Sequence, residues 1–288
     1  MSSFDWKLFK SLIKNINSYK MNRNMIGYSF EEIIKPISHQ DIELFSNATK
    51  DNNPAYFSKY YAPPFLLYKL TFPLIKKLLI HEGLNINLLR GVFADQKIIW
   101  HNPLKVDDQL KIKIEINNII ETPVGEKIKI SGRGFNKNVL VVESQTGFIV
   151  RKKLKNPRKN IEQTKDLKEK FRIEMQTEKG QELKFAEVSG DFNFIHINPL
   201  LAKLAGFKGT ILHGACVMSM SCSNLIEKIL NNDIGQLISI NGRFGYPVYP
   251  GEKLILIGYE SINKNSIPFA VINSNGKFVF KNGLLTYK

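Results

Sequence analysis

One loop of this chain occurs twice, and that internal repeat constrains the fold more than any other feature of the sequence. Residues 45–56 read FSNATKDNNPAY and residues 185–196 read FAEVSGDFNFIH. The two segments share a phenylalanine, a Ser or Thr, an aspartate and an asparagine at matching places. Residues 103–110 (PLKVDDQL) and 247–254 (PVYPGEKL) form a second matching pair in the same order. Such a repeat indicates a duplicated structural unit.

The two halves predict the same order of elements. Each begins with a polar helix, at 38–48 and at 181–188, and continues with a long apolar helix, at 65–80 and at 214–230. Strand-like segments then close each half. We predict strands at 96–100, 109–119, 126–135 and 139–151, then at 236–244, 253–261, 266–273 and 277–287. A helix packed on an antiparallel sheet, twice over, is an α+β layout.

The repeat also predicts the domain boundaries. Residues 25–150 and 169–288 form the two halves, and the basic, proline-containing segment 151–168 is a charged linker. Residues 1–24 lie outside the repeat and carry an apolar stripe on a basic amphipathic helix. Such a helix either docks on the body of the protein or anchors the chain to a membrane surface or a partner.

Composition and charge narrow the class of protein. The hydrophobic content of 43% suffices for real cores. Because no apolar run approaches the ~20 residues that cross a bilayer and no signal peptide is visible, we expect a cytoplasmic protein without a transmembrane segment. The net charge is +15, but the densest run of basic residues contains no aromatic residue. We therefore expect no nucleic-acid binding. The positive charge would attract the phosphates of coenzyme A or an acidic acyl carrier protein.

The cysteines and histidines point away from disulfide and metal chemistry. Cys216 and Cys222 share one predicted helix, where their spacing does not bring them face to face. We expect two buried free thiols in a reducing compartment. No Cys/His spacing typical of a metal site occurs, and the remaining histidines have no matching partners. We expect His39, His81 and His101 to be surface or turn residues.

The second copy of the repeated loop carries a carboxylate and an imidazole. Asp191 and His196 follow a Ser-Gly turn in a segment that we predict to be irregular, whereas the first copy has Tyr56 in place of the histidine. A carboxylate and an imidazole can share one water near neutral pH, but tyrosine titrates far too high. Gly214, at the start of the helix 214–230, offers a free N–H to a carbonyl oxygen that gains charge. Together these groups can add water across a double bond conjugated to a thioester.

The motif SGDFNFIH…AGFKGTILHG resembles the hydratase motif of the MaoC-like family, which includes (R)-specific enoyl-CoA hydratases and 3-hydroxyacyl-thioester dehydratases. The segments YAPPFLLYKLTFPL and LLRGVFADQKIIWHNPLKVDDQL resemble the non-catalytic first half of its two-domain members. The resemblance covers about residues 25–288 and implies a double hot-dog fold. It implies a hydro-lyase that interconverts trans-2-enoyl and (R)-3-hydroxyacyl thioesters. No cofactor is implied beyond coenzyme A or acyl carrier protein as part of the substrate.

The resemblance also implies roles for individual residues. Asp191 and His196 correspond to the pair that binds and activates the catalytic water, and the amide of Gly214 to the oxyanion hole. Asn193 corresponds to the asparagine that supports the catalytic loop and its water, and Ser189 lies in the turn before it.

The motif departs from the family pattern in two places. Phe194 replaces a proline, and its ring could line the acyl pocket or fill core; Asn198 replaces an aspartate. His213 is expected to orient the turn before Gly214. Arg243, near the expected entrance, is a candidate contact for a coenzyme A phosphate.

Two other functions remain open on the same fold. A hot-dog protein can hydrolyse thioesters, although a paired aspartate and histidine favour hydration. The chain could also bind acyl-CoA without catalysis, a reading for which Phe194 is the support. Two fused units already mimic the dimer of single units, so we expect either a monomer or a homodimer.

Overall fold

The computed structural model describes residues 19–152 and 167–288, and the strands of both segments form one antiparallel sheet of ten strands. The strands are β1 (Ser29–Ile33), β2 (Gly91–Trp100), β3 (Leu110–Thr122), β4 (Gly125–Asn136), β5 (Val139–Arg151), β6 (Glu169–Gln176), β7 (Leu237–Phe244), β8 (Lys253–Tyr259), β9 (Ser266–Asn273) and β10 (Phe278–Tyr287). Their order across the sheet is β1-β3-β4-β5-β2-β7-β10-β9-β8-β6. The second half therefore repeats the first in mirror order.

The helices lie against this sheet. They are α1 (His39–Thr49), α2 (Ala55–Ser58), α3 (Leu66–Leu79), α4 (Gln181–Ser189), α5 (Phe194–Ile197), α6 (Pro199–Leu204) and α7 (Gly214–Leu230). In α7 every residue from Ala215 to Cys222 is buried. A helix segment that is buried on all sides belongs in a core rather than on a surface, so α7 passes through the core of its half. α3 buries nine of its fourteen residues and leaves Pro73 and Lys77 exposed.

The two halves meet where β2 pairs with β7. In that ladder Lys97 lies opposite Asn241. The offset that aligns 103–110 with 247–254, extended toward the N-terminus, relates the same two residues. A residue that pairs with its own repeat counterpart marks a twofold relation between the halves. Each half is thus a five-stranded sheet wrapped around one long helix, and the prediction of a double hot-dog fold in the α+β class is confirmed.

Three strands differ from the sequence-based prediction. The edge strands β1 and β6 were not predicted. In β1 the adjacent Glu31 and Glu32 interrupt the alternation of apolar residues. In β6 Phe171, Ile173 and Met175 do alternate with exposed polar residues, and the prediction missed this strand. β2 begins at Gly91, ahead of the predicted 96–100. A register shift between Phe93 and Asp95 interrupts its alternation and hides its first residues from a pattern search.

Residues 1–18 of the predicted helix 1–24 lie outside the described residues. Residues 153–166 of the predicted linker 151–168 do so as well. Residues from Tyr19 onward dock on the first half, where the N–H of Met21 donates to the buried Glu126 carboxylate at 2.6 Å. Arg23 forms an ion pair with the same carboxylate at 3.2 Å.

The two cysteines of α7, Cys216 and Cys222, are both free and buried, as predicted. Within 19–152 and 167–288, no helix combines the length and the apolar character that a bilayer span requires.

Candidate active site

Asp191 lies in the tight loop that follows α4. Gly190 ends the helix in the left-handed conformation (φ 74°), which glycine adopts without strain. The Ser189 hydroxyl donates to the Phe185 carbonyl at 2.6 Å and accepts the Asp191 N–H at 3.2 Å. The loop turns the Asp191 side chain inward, where only 2% of the residue is exposed.

The Asp191 carboxylate accepts one hydrogen bond on each oxygen. The N–H of Asn193 donates to Oδ1 at 3.2 Å, and the hydroxyl of Tyr68, from α3 of the first half, donates to Oδ2 at 2.8 Å. The side chain of Asn193 also caps α5 by accepting the Ile195 N–H. Burial raises the pKa of Asp191, whereas the nearby His196 and the Tyr68 hydrogen bond act in the opposite direction. Through these hydrogen bonds Asn193 and Ser189 both fix the backbone of the loop that carries Asp191.

His196 lies on the single turn of α5, in a segment that we predicted to be irregular. Its Nδ1 is 2.7 Å from the carbonyl oxygen of Ile211, which can only accept, so Nδ1 carries the proton and Nε2 keeps its lone pair. Burial lowers the pKa of His196 and favours the neutral ring. The site therefore offers an imidazole nitrogen that can accept a proton.

His213, which we predicted to orient the turn before Gly214, lies at that turn and also contacts the loop of Asp191. It is the N-cap residue of α7, and its Nε2 donates to the backbone oxygen of Asp191 at 2.9 Å. Its ring stacks on that of His196, with centroids 3.6 Å apart. Burial lowers the pKa of His213 well below its usual value, so this histidine is a neutral structural donor.

Gly214 is the first residue of α7, as predicted, and its N–H donates to no acceptor in the described part of the chain. A Cβ at this position would lie 2.7 Å from Cδ1 of Phe244. Only glycine fits against that ring. An unpaired N–H at a helix N-terminus can stabilise a developing oxyanion.

The side chains of Asp191 and His196 and the N–H of Gly214 face one cavity, which we call the catalytic cavity. Asp191, His196 and Gly214 line it together with Phe244. His213 also lines it, and the first half contributes the polar residues Tyr68, Thr71, Gln96 and Ser144. The sequence did not indicate these residues, because helical and strand periodicity predicts burial and not which distant element a side chain meets.

Two further cavities adjoin the catalytic cavity. One, the aromatic chamber, is lined by Phe72, Phe93, Phe148, Phe192 and Phe194, with Lys76. The other, the β7 cavity, is lined by residues that follow β7, by Asn193, His196 and Gly214, and again by Phe93 and Phe148. The ring of Phe93 borders all three cavities.

The first-half copy of the loop has a different geometry. The hydroxyl of Tyr56 donates directly to Asp51 Oδ2 at 2.5 Å, and Ser223 from α7 donates to Oδ1 at 2.7 Å. By contrast, no hydrogen bond joins Asp191 to His196 within the described structure. A direct bond leaves no place for water between Asp51 and Tyr56, and neither residue lines the three cavities.

Asp191, His196 and His213 bring possible metal-ligand atoms within 4.8 Å of one another, a cluster that their sequence spacing did not suggest. The two imidazole planes differ by only 22°. Lone pairs of nearly parallel stacked rings do not converge on one ion as tetrahedral coordination requires. The cluster therefore does not have the geometry of a tetrahedral metal site.

The structure does not bring Arg243 to the site. It is exposed on β7, opposite Asp95, and borders none of the three cavities. Successive strand residues face opposite sides of a sheet, so Arg243 points away when Phe244 points in. Phe194 is 6% exposed and lines the aromatic chamber.

Comparisons with known proteins relate both halves of the chain to dehydratase domains. Residues 160–266 match the family model of the MaoC like domain, and residues 24–139 match that of the FAS1-like, dehydratase domain region. The chain is 34% identical over 109 residues (38% of this chain and 37% of that protein) to a probable enoyl-CoA hydratase 2 of Dictyostelium discoideum. It is 31% identical over 177 residues (58% and 60%) to 3-hydroxyacyl-thioester dehydratase Y of Mycobacterium tuberculosis. The chain thus spans less than two thirds of the length of these relatives.

A solved structure shares nearly the whole architecture. The crystal structure of a MaoC-like dehydratase from Phytophthora capsici superimposes with a TM-score of 0.76, covering 93% of this chain and 97% of that one at 20% identity. At this identity the likeness shows the fold. The chain therefore carries a MaoC like domain in its second half and a FAS1-like dehydratase region in its first.

Proposed function

We propose that this protein interconverts trans-2-enoyl and (R)-3-hydroxyacyl thioesters by adding or removing water. One observation carries the proposal. The free Nε2 of His196, the carboxylate of Asp191 and the unpaired N–H of Gly214 all face one buried cavity. The names of the relatives, enoyl-CoA hydratase and 3-hydroxyacyl-thioester dehydratase, support the same reaction.

In the hydration direction, Asp191 and His196 hold one water between them. The pair takes a proton from the water as its oxygen bonds to Cβ, and one proton passes from the pair to Cα. The protonation state of the pair is therefore the same before and after the reaction. Between these events negative charge builds on the thioester oxygen, and the N–H of Gly214 stabilises that charge.

The two pKa shifts suit these roles. His196 stays neutral because burial lowers its pKa, so Nε2 can accept a proton at neutral pH. The neutral ring can also share the proton with the carboxylate of Asp191. Burial raises the pKa of that carboxyl, which makes it a stronger base than an exposed aspartate.

The proposal is tested with crotonyl-CoA by following the loss of enoyl-thioester absorbance. We expect Asp191→Asn and His196→Gln to lower kcat/KM by about 10²–10⁴-fold, the usual contribution of a general acid or base. Asp51→Asn is the matched control, since it changes the same residue in the copy that faces no cavity, and should retain wild-type rates. Full activity in both site variants, or equal loss in the control, would contradict the assignment.

Measurements of free thiol and of acyl-CoA binding separate thioester hydrolysis and non-catalytic binding from hydration. A thioester hydrolase would release free thiol, and a binding protein would retain acyl-CoA without turnover. The (R) configuration is checked by chiral separation of the 3-hydroxyacyl product. Coenzyme A or acyl carrier protein as the carrier, and a cytoplasmic location, stay predictions from the sequence. Substrates on each carrier, compared at one chain length, test the first.

A further inference from the structure

We propose that Tyr68, on the long helix of the first half, is a positioning residue for the catalytic carboxylate of the second half. Its hydroxyl donates to Asp191 Oδ2 at 2.8 Å. The inference rests on the hydratase function proposed above, because it assigns a role toward the group expected to activate the water. It gives the first half a direct part in the geometry of the reaction.

The carboxylate of an aspartate needs two hydrogen bonds to be held in one orientation. Its terminal torsion is broad and roughly twofold, so one bond leaves rotation about that torsion. Here the Asn193 N–H holds Oδ1 of Asp191 and Tyr68 holds Oδ2. The carboxylate is thereby fixed between the loop and the opposite half, with its unused lone pairs available to the catalytic cavity.

The ring of Tyr68 is itself fixed. It stacks on Phe72, with centroids 5.3 Å apart and planes 23° apart, and packs against Phe185 at 5.8 Å. Phe185 is fully buried and contacts the ring of His213 at 4.8 Å. The position of the hydroxyl is therefore set by the same aromatic cluster that supports the catalytic loop.

The phenol keeps its proton while it donates. Burial raises the pKa of Tyr68 well above its ordinary value, so Asp191 and not Tyr68 carries the negative charge. The hydrogen bond from Tyr68 in turn lowers the pKa of Asp191, against the larger effect of burial. Tyr68 thus keeps the carboxylate ionised to a lower pH than burial alone would allow.

The other half contains the reciprocal contact. Ser223, on α7, donates to Asp51 Oδ1 at 2.7 Å. Each aspartate of the repeated loop therefore accepts a hydroxyl from the long helix of the opposite half. Only Asp191 borders a cavity with its hydroxyl partner, so only the contact from Tyr68 reaches the reacting groups.

The test is Tyr68→Phe, which removes the hydroxyl and keeps the ring. We expect kcat for crotonyl-CoA to fall about tenfold or more with little change in KM, and the acid limb of the kcat/KM profile to move up by about one pH unit, as loss of a hydrogen bond to a carboxylate predicts. A purely structural role would not move that limb. Tyr56→Phe is the matched control, since it removes the hydroxyl that binds Asp51, and should keep the wild-type limb.

A second measurement does not depend on turnover. The carboxyl resonance of Asp191, assigned by its loss in Asp191→Asn, is titrated by NMR in wild type and in Tyr68→Phe. A higher pKa in the variant supports the positioning role even if the wild type hydrates no substrate, a result that would overturn the proposed function alone. An unchanged acid limb together with an unchanged titration would overturn the role of Tyr68.

Discussion

The exchange of tyrosine for histidine at the end of the repeated loop changes the chemistry of the aspartate before it. Where Tyr56 binds Asp51 directly, His196 turns its Nδ1 to a backbone carbonyl and leaves a gap beside Asp191. A tyrosine hydroxyl can donate directly to the carboxylate, whereas a neutral imidazole has an acceptor nitrogen that can bind water. The sequence predicted that tyrosine replaces histidine in the first copy, because both members of each pair lie in one short segment, but it did not predict the direct bond from Tyr56 to Asp51. It could not predict Tyr68, which reaches the loop from a different half.

At the same scale, Gly214→Ala tests the oxyanion site. Its new Cβ would meet the ring of Phe244 at 2.7 Å, which forces the start of α7 or the ring to shift. We expect kcat to fall by about 10²-fold, as for a displaced oxyanion donor, with the protein still folded. Adding Phe244→Leu should recover part of that loss by making room for the methyl group. If Gly214→Ala keeps wild-type kcat, the oxyanion role is wrong.

Among the elements, β2 lines the catalytic cavity with Phe93, Gln96 and Ile98. The register shift between Phe93 and Asp95 occurs beside the cavities, a position where bulges often redirect side chains. Phe93 packs edge-on against Phe148 with centroids 5.2 Å apart, and this pair borders both the aromatic chamber and the β7 cavity. The sequence predicted a strand here but not its bulge, because one inserted residue breaks the alternation on which the prediction depends.

We expect Phe93→Ala to shift the preference of the enzyme toward longer acyl chains. Removing the ring would join the catalytic cavity to the aromatic chamber, and each extra buried methylene favours binding about fourfold. The measurement is kcat/KM for crotonyl-CoA and for a series of longer enoyl-CoA substrates. Phe30→Ala serves as the control, since Phe30 is also partly buried but borders none of the three cavities. An unchanged ratio of long to short substrates would show that the ring is not a barrier.

At the scale of the whole molecule, the repeat predicted two units, and the ladder between β2 and β7 shows how they join. The two edge strands escaped prediction, and only in β1 does the apolar alternation itself fail, at Glu31 and Glu32. The core between the halves also determines how the fold responds to pH. His196 and His213 are buried and neutral, with pKa values lowered by burial.

This burial predicts a loss of stability in mild acid. Because both folded-state pKa values lie below the unfolded value of about 6.5, the unfolded state binds more protons as the pH falls through that value. The free energy of unfolding should then decrease by up to about 1.4 kcal/mol per pH unit for each histidine. Urea unfolding between about pH 7.5 and 5.5 measures this slope. His213→Gln keeps a donor for the Asp191 carbonyl and should flatten the slope; an equal slope would contradict the explanation.

The ten-stranded sheet has just two free edges in the described chain, at β1 and β6. β1 presents Glu31 and Glu32, while β6 presents Lys170 and Arg172. Charged residues on an edge oppose the addition of further strands from another molecule. A single-unit protein of this type must find a second copy to extend its sheet across β2, whereas this chain carries that second copy covalently. Its assembly is consequently insensitive to dilution, since the partner of each half is always present at the same effective concentration.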